Sequence, residues 1–102
     1  MVLYTMKWNI LPGMTDKYRG WAQSAIKRLL SVPGVVEFRA YRMIAGSHQV
    51  IVTYEFADMQ ALASWQSNEA TQKAMEDGSN YIADLKTEIM GPSPIVPDPI
   101  RP

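Results

Sequence analysis

The apolar positions of this chain switch period several times between two and three to four, and the switches mark out its elements. From Val2 to Ile10, Val2, Tyr4, Met6, Trp8 and Ile10 alternate with Leu3, Thr5, Lys7 and Asn9, the period of a strand with one apolar face. Leu11-Pro12-Gly13 stops it. Thr15 stands where it caps a helix with Asp16 in the first turn, favourable against the helix dipole. Tyr18, Trp21, Ala22, Ala25, Ile26 and Leu29 then recur at helical spacing, with Lys17, Arg19, Gln23, Lys27 and Arg28 mostly opposite. Ser31-Val32-Pro33-Gly34 closes that helix.

Val35 to Phe56 holds two runs rich in Val, Ile, Tyr and Phe on either side of Gly46-Ser47-His48, the signature of a β-hairpin. A register centred on Ser47 sets Ile44 against Val50, Arg42 against Val52, Ala40 against Tyr54 and Phe38 against Phe56. The other face then pairs Met43 with Ile51, Tyr41 with Thr53 and Arg39 with Glu55. A slip of one residue would mix the two faces. Asp58 is placed to cap a second helix carrying Met59, Leu62 and Trp65, and Ser67-Asn68-Glu69 predicts a break before Ala70 to Met75, with Gly78 as terminator. Tyr81 to Met90 alternates again, with Tyr81, Ala83, Leu85, Thr87 and Ile89 on one face. From Gly91 the composition changes, because GPSPIVPDPIRP holds five of the seven prolines. The chain therefore divides into a domain over 1–90 and a Pro-rich arm over 91–102, and Ile95, Val96 and Ile100 argue for an arm that is ordered.

The order strand, helix, strand, strand, helix, strand is a βαββαβ pattern, which predicts a ferredoxin-like α+β sandwich with a four-stranded antiparallel sheet. Right-handed crossovers put the first and third strands at its centre and both helices on one side. The helices are expected over Tyr4, Met6, Trp8, Phe38, Ala40, Val50, Val52, Tyr54, Phe56 and Leu85. The opposite face, with Tyr41, Met43, Ile51 and Thr53, is too apolar to be left wet and predicts a homodimer that packs two such faces together.

Composition narrows the chemistry. Ten basic residues balance ten acidic ones without forming a run, which argues against nucleic acid and an anionic membrane surface as partners. No apolar run approaches the roughly 20 residues of a membrane span, and the N-terminus meets Lys7 too soon for a signal-peptide core. No cysteine is present, which removes thiol chemistry and fits a reducing compartment, so a cytoplasmic location is expected. The single histidine, His48, reads as an exposed turn residue. Scattered carboxylates predict no metal site, and the glycines form no phosphate loop.

With the elements in place, the chain resembles the dimeric α+β barrel superfamily, in particular its antibiotic-biosynthesis-monooxygenase-like group. Pro12-Gly13 closing the first strand, PGVVEFRAYR opening the hairpin and YEFADMQALASWQSNEA running into a Trp-bearing helix carry the resemblance, over residues 1 to about 90. That group includes cofactor-independent oxygenases of aromatic polyketides, haem-degrading enzymes and proteins with no established activity. The resemblance implies a pocket between helices and sheet. Haem-degrading relatives place an Asn on the first strand, a Trp on the second helix and a ligating His ten residues later. Only Trp65 is kept, and the other two positions fall on Met6 and Met75. An axial His is therefore missing, and no haem or other cofactor is expected.

The candidate site is built from the aromatic residues. Trp65 is either a core indole or the wall that holds a flat ring, Arg42 either snorkels to water or stabilises an anion, and Tyr54 or Tyr4 exchanges a proton. Trp8, Trp21, Phe38, Met6 and Met75 complete a lining suited to a small hydrophobic or aromatic molecule. The reading is a monooxygenase-like homodimer without metal or flavin, acting on a small phenolic or polyketide-like compound. The alternative is a non-catalytic, ligand-binding or stress-responsive homodimer of the same fold.

Overall fold

A computed structural model describes all residues 1–102. Its elements are β1 (Val2–Ile10), α1 (Thr15–Ser31), β2 (Glu37–Arg42), β3 (Val50–Phe56), α2 (Met59–Ser67), α3 (Glu69–Gly78) and β4 (Ile82–Met90). The strands form one antiparallel sheet in the order β2-β3-β1-β4, the ferredoxin-like arrangement the alternating pattern predicts. The second helical stretch is broken where Ser67-Asn68-Glu69 places the break. Asp58 caps α2 by accepting from Ala61 N–H at 2.8 Å, and Asn68 caps α3 by accepting from Ala70 N–H at 2.9 Å. Each side chain satisfies a donor that the helix itself cannot.

The start of α1 differs from expectation. Met14, not Thr15, occupies the cap position, and no side chain caps it. Gly13 adopts a positive φ of 77°, which a glycine reaches at no steric cost, and the turn is closed by Met14 N–H donating to Leu11 O at 3.1 Å. That turn delivers the chain directly into the helix, so Thr15 is already its first residue.

The hairpin register is also corrected. Phe38 opposes Tyr54, Ala40 opposes Val52 and Arg42 opposes Val50, a shift of two residues that centres the loop on Gly46 instead of Ser47. The reason lies outside the hairpin. Gln49 is held at the end of β1, its N–H donating to Trp8 O at 3.2 Å and Asn9 Oδ1 at 2.9 Å while its own Oε1 accepts from Ile10 N–H at 2.6 Å. Gly46, with φ of 145°, takes the apex. A shift of two preserves parity, so each side chain keeps its face. The predicted Arg39:Glu55 pair does not survive: Arg39 opposes Thr53, Glu37 opposes Glu55, and Arg39 pairs with Glu37 on its own strand.

In β4 the alternation is interrupted. Between Lys7 and Asn9 the β1–β4 register shifts by one, a bulge at which Asp84 takes a φ of 57°. Thr87 and Ile89 lie on the face of Met6 and Tyr4, but beyond the bulge it is Ile82, opposite Ile10, that packs on the core, not Tyr81 and Ala83 in phase with them. Leu85, expected under the helices, is half exposed. His48 is likewise half-buried instead of exposed: Nδ1 meets Ser47 Oγ at 2.9 Å and Nε2 meets Asp84 O at 3.1 Å, tying the hairpin turn to the bulge.

The core lies between the sheet and the helices and is built from Met6, Trp8, Val52, Tyr54 and Phe56 below and Ala25, Leu29, Leu62, Trp65 and Ala74 above. Helices α1 and α3 pack through Trp21, whose ring lies where a Cβ on Gly78 would stand and whose indole N–H donates to Ala74 O at 3.3 Å. Arg28 and Asp77 close that seam with an ion pair of 3.1 Å. Residues 91–102 follow β4 without regular structure, and Ile95 and Ile100 point outward. No helix is long and apolar enough to cross a membrane.

Candidate functional site

The aromatic residues predicted as one pocket line two neighbouring cavities, with Tyr54 and Trp65 between them. Their rings are tilted together with centroids 4.8 Å apart, and Tyr4 approaches both, at 6.3 and 6.2 Å. Alternation along β1 and β3 sends Tyr4 and Tyr54 to the helix side, where they face each other across the ladder. Trp65 comes down from α2 with its indole N–H donating to Leu29 O at 3.0 Å, and 1% of it is exposed. The residue is thus held by the core and also lines a cavity.

The first cavity, of about 280 Å³, is lined by Tyr4, Trp65, Gln66, Thr71, Gln72 and Met75. The second, of about 80 Å³, lies under α1 and is lined entirely by apolar and aromatic residues, among them Trp8, Trp21, Phe38 and Tyr54. Met6 is buried and lines neither. Arg42 is exposed at the end of β2 and also lines neither. A larger groove, about 690 Å³, runs along α3, but its walls are all polar, unlike the apolar walls that hold small molecules.

Thr71 is the site residue the pattern reading missed. It is 2% exposed, and its Oγ1 has no hydrogen-bond partner. A buried hydroxyl left unpaired costs about 1–3 kcal/mol. The sequence carried a signal for it: Thr71, Ala74 and Gly78 share the buried side of α3, and a polar residue in such a stripe asks for a partner. Tyr18 belongs to the apolar stripe of α1, and its hydroxyl also accepts from Trp8 Nε1 at 3.1 Å in the wall of the second cavity.

Electrostatically the site is neutral. Neither cavity is lined by a carboxylate, an amine or an imidazole. Burial, with Tyr4 and Tyr18 nearby, pushes the Tyr54 phenol far above its ordinary range, and burial also raises Tyr18, against a smaller lowering by the Trp8 N–H bond. Both are therefore neutral phenols near pH 7, able to donate a hydrogen bond and unable to act as a base. Nowhere do three His, Cys, Asp or Glu side chains gather as a metal site would require.

Residues 1–77 match the model of the antibiotic biosynthesis monooxygenase family. The chain belongs to that family. Solved structures share the fold at low identity. A DABB-family protein with a ferredoxin-like fold from Mesorhizobium loti superposes with a TM-score of 0.82 at 17% identity, over 90% of this chain and 96% of that one. The cofactor-independent oxygenase SnoaB from Streptomyces nogalater superposes with a TM-score of 0.76 at 9% identity, over 95% and 97%. A dimeric ferredoxin-like protein of unknown function from Thermobifida fusca gives 0.73 at 12% identity, over 87% and 88%. At these identities the likeness concerns the fold. No curated protein matches the sequence. The family's reach over 1–77 takes in α2 and most of α3, and hence every residue that lines the 280 Å³ cavity.

Proposed function

We propose that this member of the monooxygenase family oxidises a small, flat aromatic compound carrying an acidic phenol or enol, using dioxygen without metal or flavin, in the cavity between α2, α3 and β1. The observation that carries this is the buried, unpartnered Thr71 hydroxyl beside the Tyr4 and Trp65 rings. A ligand oxygen that accepts from Thr71 satisfies a group the protein leaves unsatisfied, while its ring packs against Tyr4 and Trp65. Because no lining residue is a base, the substrate has to ionise readily by itself. This narrows the class to stabilised enolates and polyhydroxylated rings. In the reaction the substrate carbanion, having lost one proton, gives an electron to dioxygen, and the two radicals join in a C–O bond. Protonation gives a hydroperoxide, and loss of water leaves a carbonyl on the former CH₂ carbon, so that one oxygen atom enters the product and the other leaves as water. Thr71 and Tyr4 donate to the anion, and the apolar surroundings strengthen those bonds. Arg42 has no part in this scheme, and Tyr54 acts as a neutral wall.

A second reading, a non-catalytic ligand-binding or stress-responsive homodimer, is favoured by the cavity volume. About 280 Å³ lies at the lower edge of the roughly 300–1,000 Å³ of small-molecule sites. The two readings separate in one experiment, aerobic and anaerobic incubation with a panel of dihydroxynaphthalenes and anthrones. The expected result is a quinone formed only with oxygen, at a rate at least tenfold lower in Thr71→Val. Calorimetric binding without product from any panel member selects the second reading.

We further propose a cytoplasmic homodimer, two outer sheet faces meeting through Tyr41, Met43, Ile51 and Thr53, with the arm over 91–102 lying against the second copy. The exposure of Tyr41, Ile95 and Ile100 supports it.

A further inference from the structure

The oxygenase reading leaves the cavity under α1 without a role. Its volume is about 80 Å³, whereas an apolar cavity that takes up benzene measures about 150 Å³. An organic substrate does not fit. The void has a local cause: Ala22 and Ala25 on α1 and Ala40 on β2 end at Cβ where the larger Trp8, Phe38 and Val52 leave a gap. Water is poorly held there as well. The indole N–H groups in the wall are already engaged, Trp8 with Tyr18 Oη at 3.1 Å and Trp21 with Ala74 O at 3.3 Å. That leaves only the Tyr18 and Tyr54 hydroxyls, the lower end of the roughly two to four polar partners a buried water takes.

A space that is apolar, poor in water sites and too small for a ring suits one small apolar molecule. We propose that this cavity is a binding site for dioxygen, which supplies the substrate cavity on the other side of Tyr54. The proposal rests on the oxygenase reading. Tyr54 lines the apolar cavity while Trp65 and Tyr4 line the substrate cavity, and the Tyr54 and Trp65 centroids are 4.8 Å apart. The gas is therefore stored one ring away from the carbanion it meets. Dispersion with the surrounding side chains holds it, no bond changes while it resides there, and Ala40, exposed on the edge strand, marks the entrance between α1 and β2.

Xenon is the probe. Pressurised with xenon, crystals of the full chain are expected to show one xenon atom between α1 and β3, with or without substrate. Ala22→Leu fills the void, and Ala40→Met serves if that variant does not fold. Either is expected to exclude xenon and to raise KM for dioxygen at least fivefold, with KM for the organic substrate and its anaerobic affinity unchanged. An empty cavity under xenon overturns the dioxygen site and leaves the oxygenase reading standing. So does a filled variant that excludes xenon but keeps its KM for dioxygen. Xenon bound in a protein that consumes no oxygen with any panel member overturns the oxygenase reading, and the supply role with it.

Discussion

Tyr54 sits on the central strand β3, 3% exposed, between three aromatic rings and two cavities. Its alternation in the sequence places it on the apolar face, but nothing in the pattern tells a proton-exchanging phenol from one held neutral. Packing decides that, because removing the ring from water disfavours the charged form. The sign of the consequence follows from proton binding. The folded pKa lies above the ordinary value of 10.0, so above pH about 10 the unfolded chain releases a proton that the folded chain retains, and stability falls as pH rises. Denaturant unfolding from pH 9 to 12 is expected to show this loss, and Tyr54→Phe to remove about 1.4 kcal/mol per pH unit of its slope above pH 10. Equal slopes in the two proteins would mean that the ring is reached by water. Thr71→Val makes the complementary case. Removing an orphan hydroxyl is expected to leave stability unchanged or raise it by about 1 kcal/mol, even as it weakens ligand binding. Trp65 is a core residue first, because its N–H donates to Leu29 O, a fact that spacing on a helix does not reveal.

At the scale of elements, the break at Asn68 and the caps of α2 and α3 were legible, the cap expected at Thr15 was not found, and the registers were less legible. Asp58 and Asn68 are local signals, because an N-cap acts within its own turn. The hairpin register was not local: the predicted loop centre at Ser47 lost to Gln49, anchored by Trp8, Asn9 and Ile10 of another strand. The bulge in β4 was equally invisible, since alternation from Tyr81 to Met90 looks unbroken until β1 sets the pairing. Gly78 shows a glycine whose meaning changes with tertiary context. It ends α3 as its sequence position suggests, yet a Cβ there would run into the Trp21 ring. That ring is pinned by its bond to Ala74 O and by contact with Tyr18 and Tyr81, so it cannot swing aside. Gly78→Ala, which on helix propensity alone would stabilise, is expected to cost about 1–3 kcal/mol by overpacking. Thermal unfolding checks it, and an unchanged or raised Tm would show that α1 and α3 part easily.

At the scale of the molecule, the two faces of the sheet meet different surroundings. One face and the helices enclose the cavities. The other carries Tyr41, 48% exposed on an edge strand. A charge there costs the monomer little, within about 0.5 kcal/mol, but is buried without a partner if two faces meet. Tyr41→Glu is therefore expected to raise the dissociation constant of the proposed dimer at least tenfold in sedimentation equilibrium, with the circular dichroism spectrum unchanged. Truncation after Gly91 is expected to weaken the dimer in the same direction. Unaltered mass in both variants would remove the outer face and the arm from the interface.

The sequence by itself determined the order of elements, the sheet in which β1 and β3 lie at the centre, and the face each residue of β1, β2 and β3 takes, because periodicity acts over a few residues and survives a two-residue shift. Only the tertiary structure decided the hairpin register, the bulge at Asp84, the division of one expected pocket into two cavities and the isolation of Thr71. Those depend on what a distant segment brings to the same place: where Gln49 meets β1, where three alanines leave a gap between α1 and the sheet, and whether any acceptor reaches a buried hydroxyl.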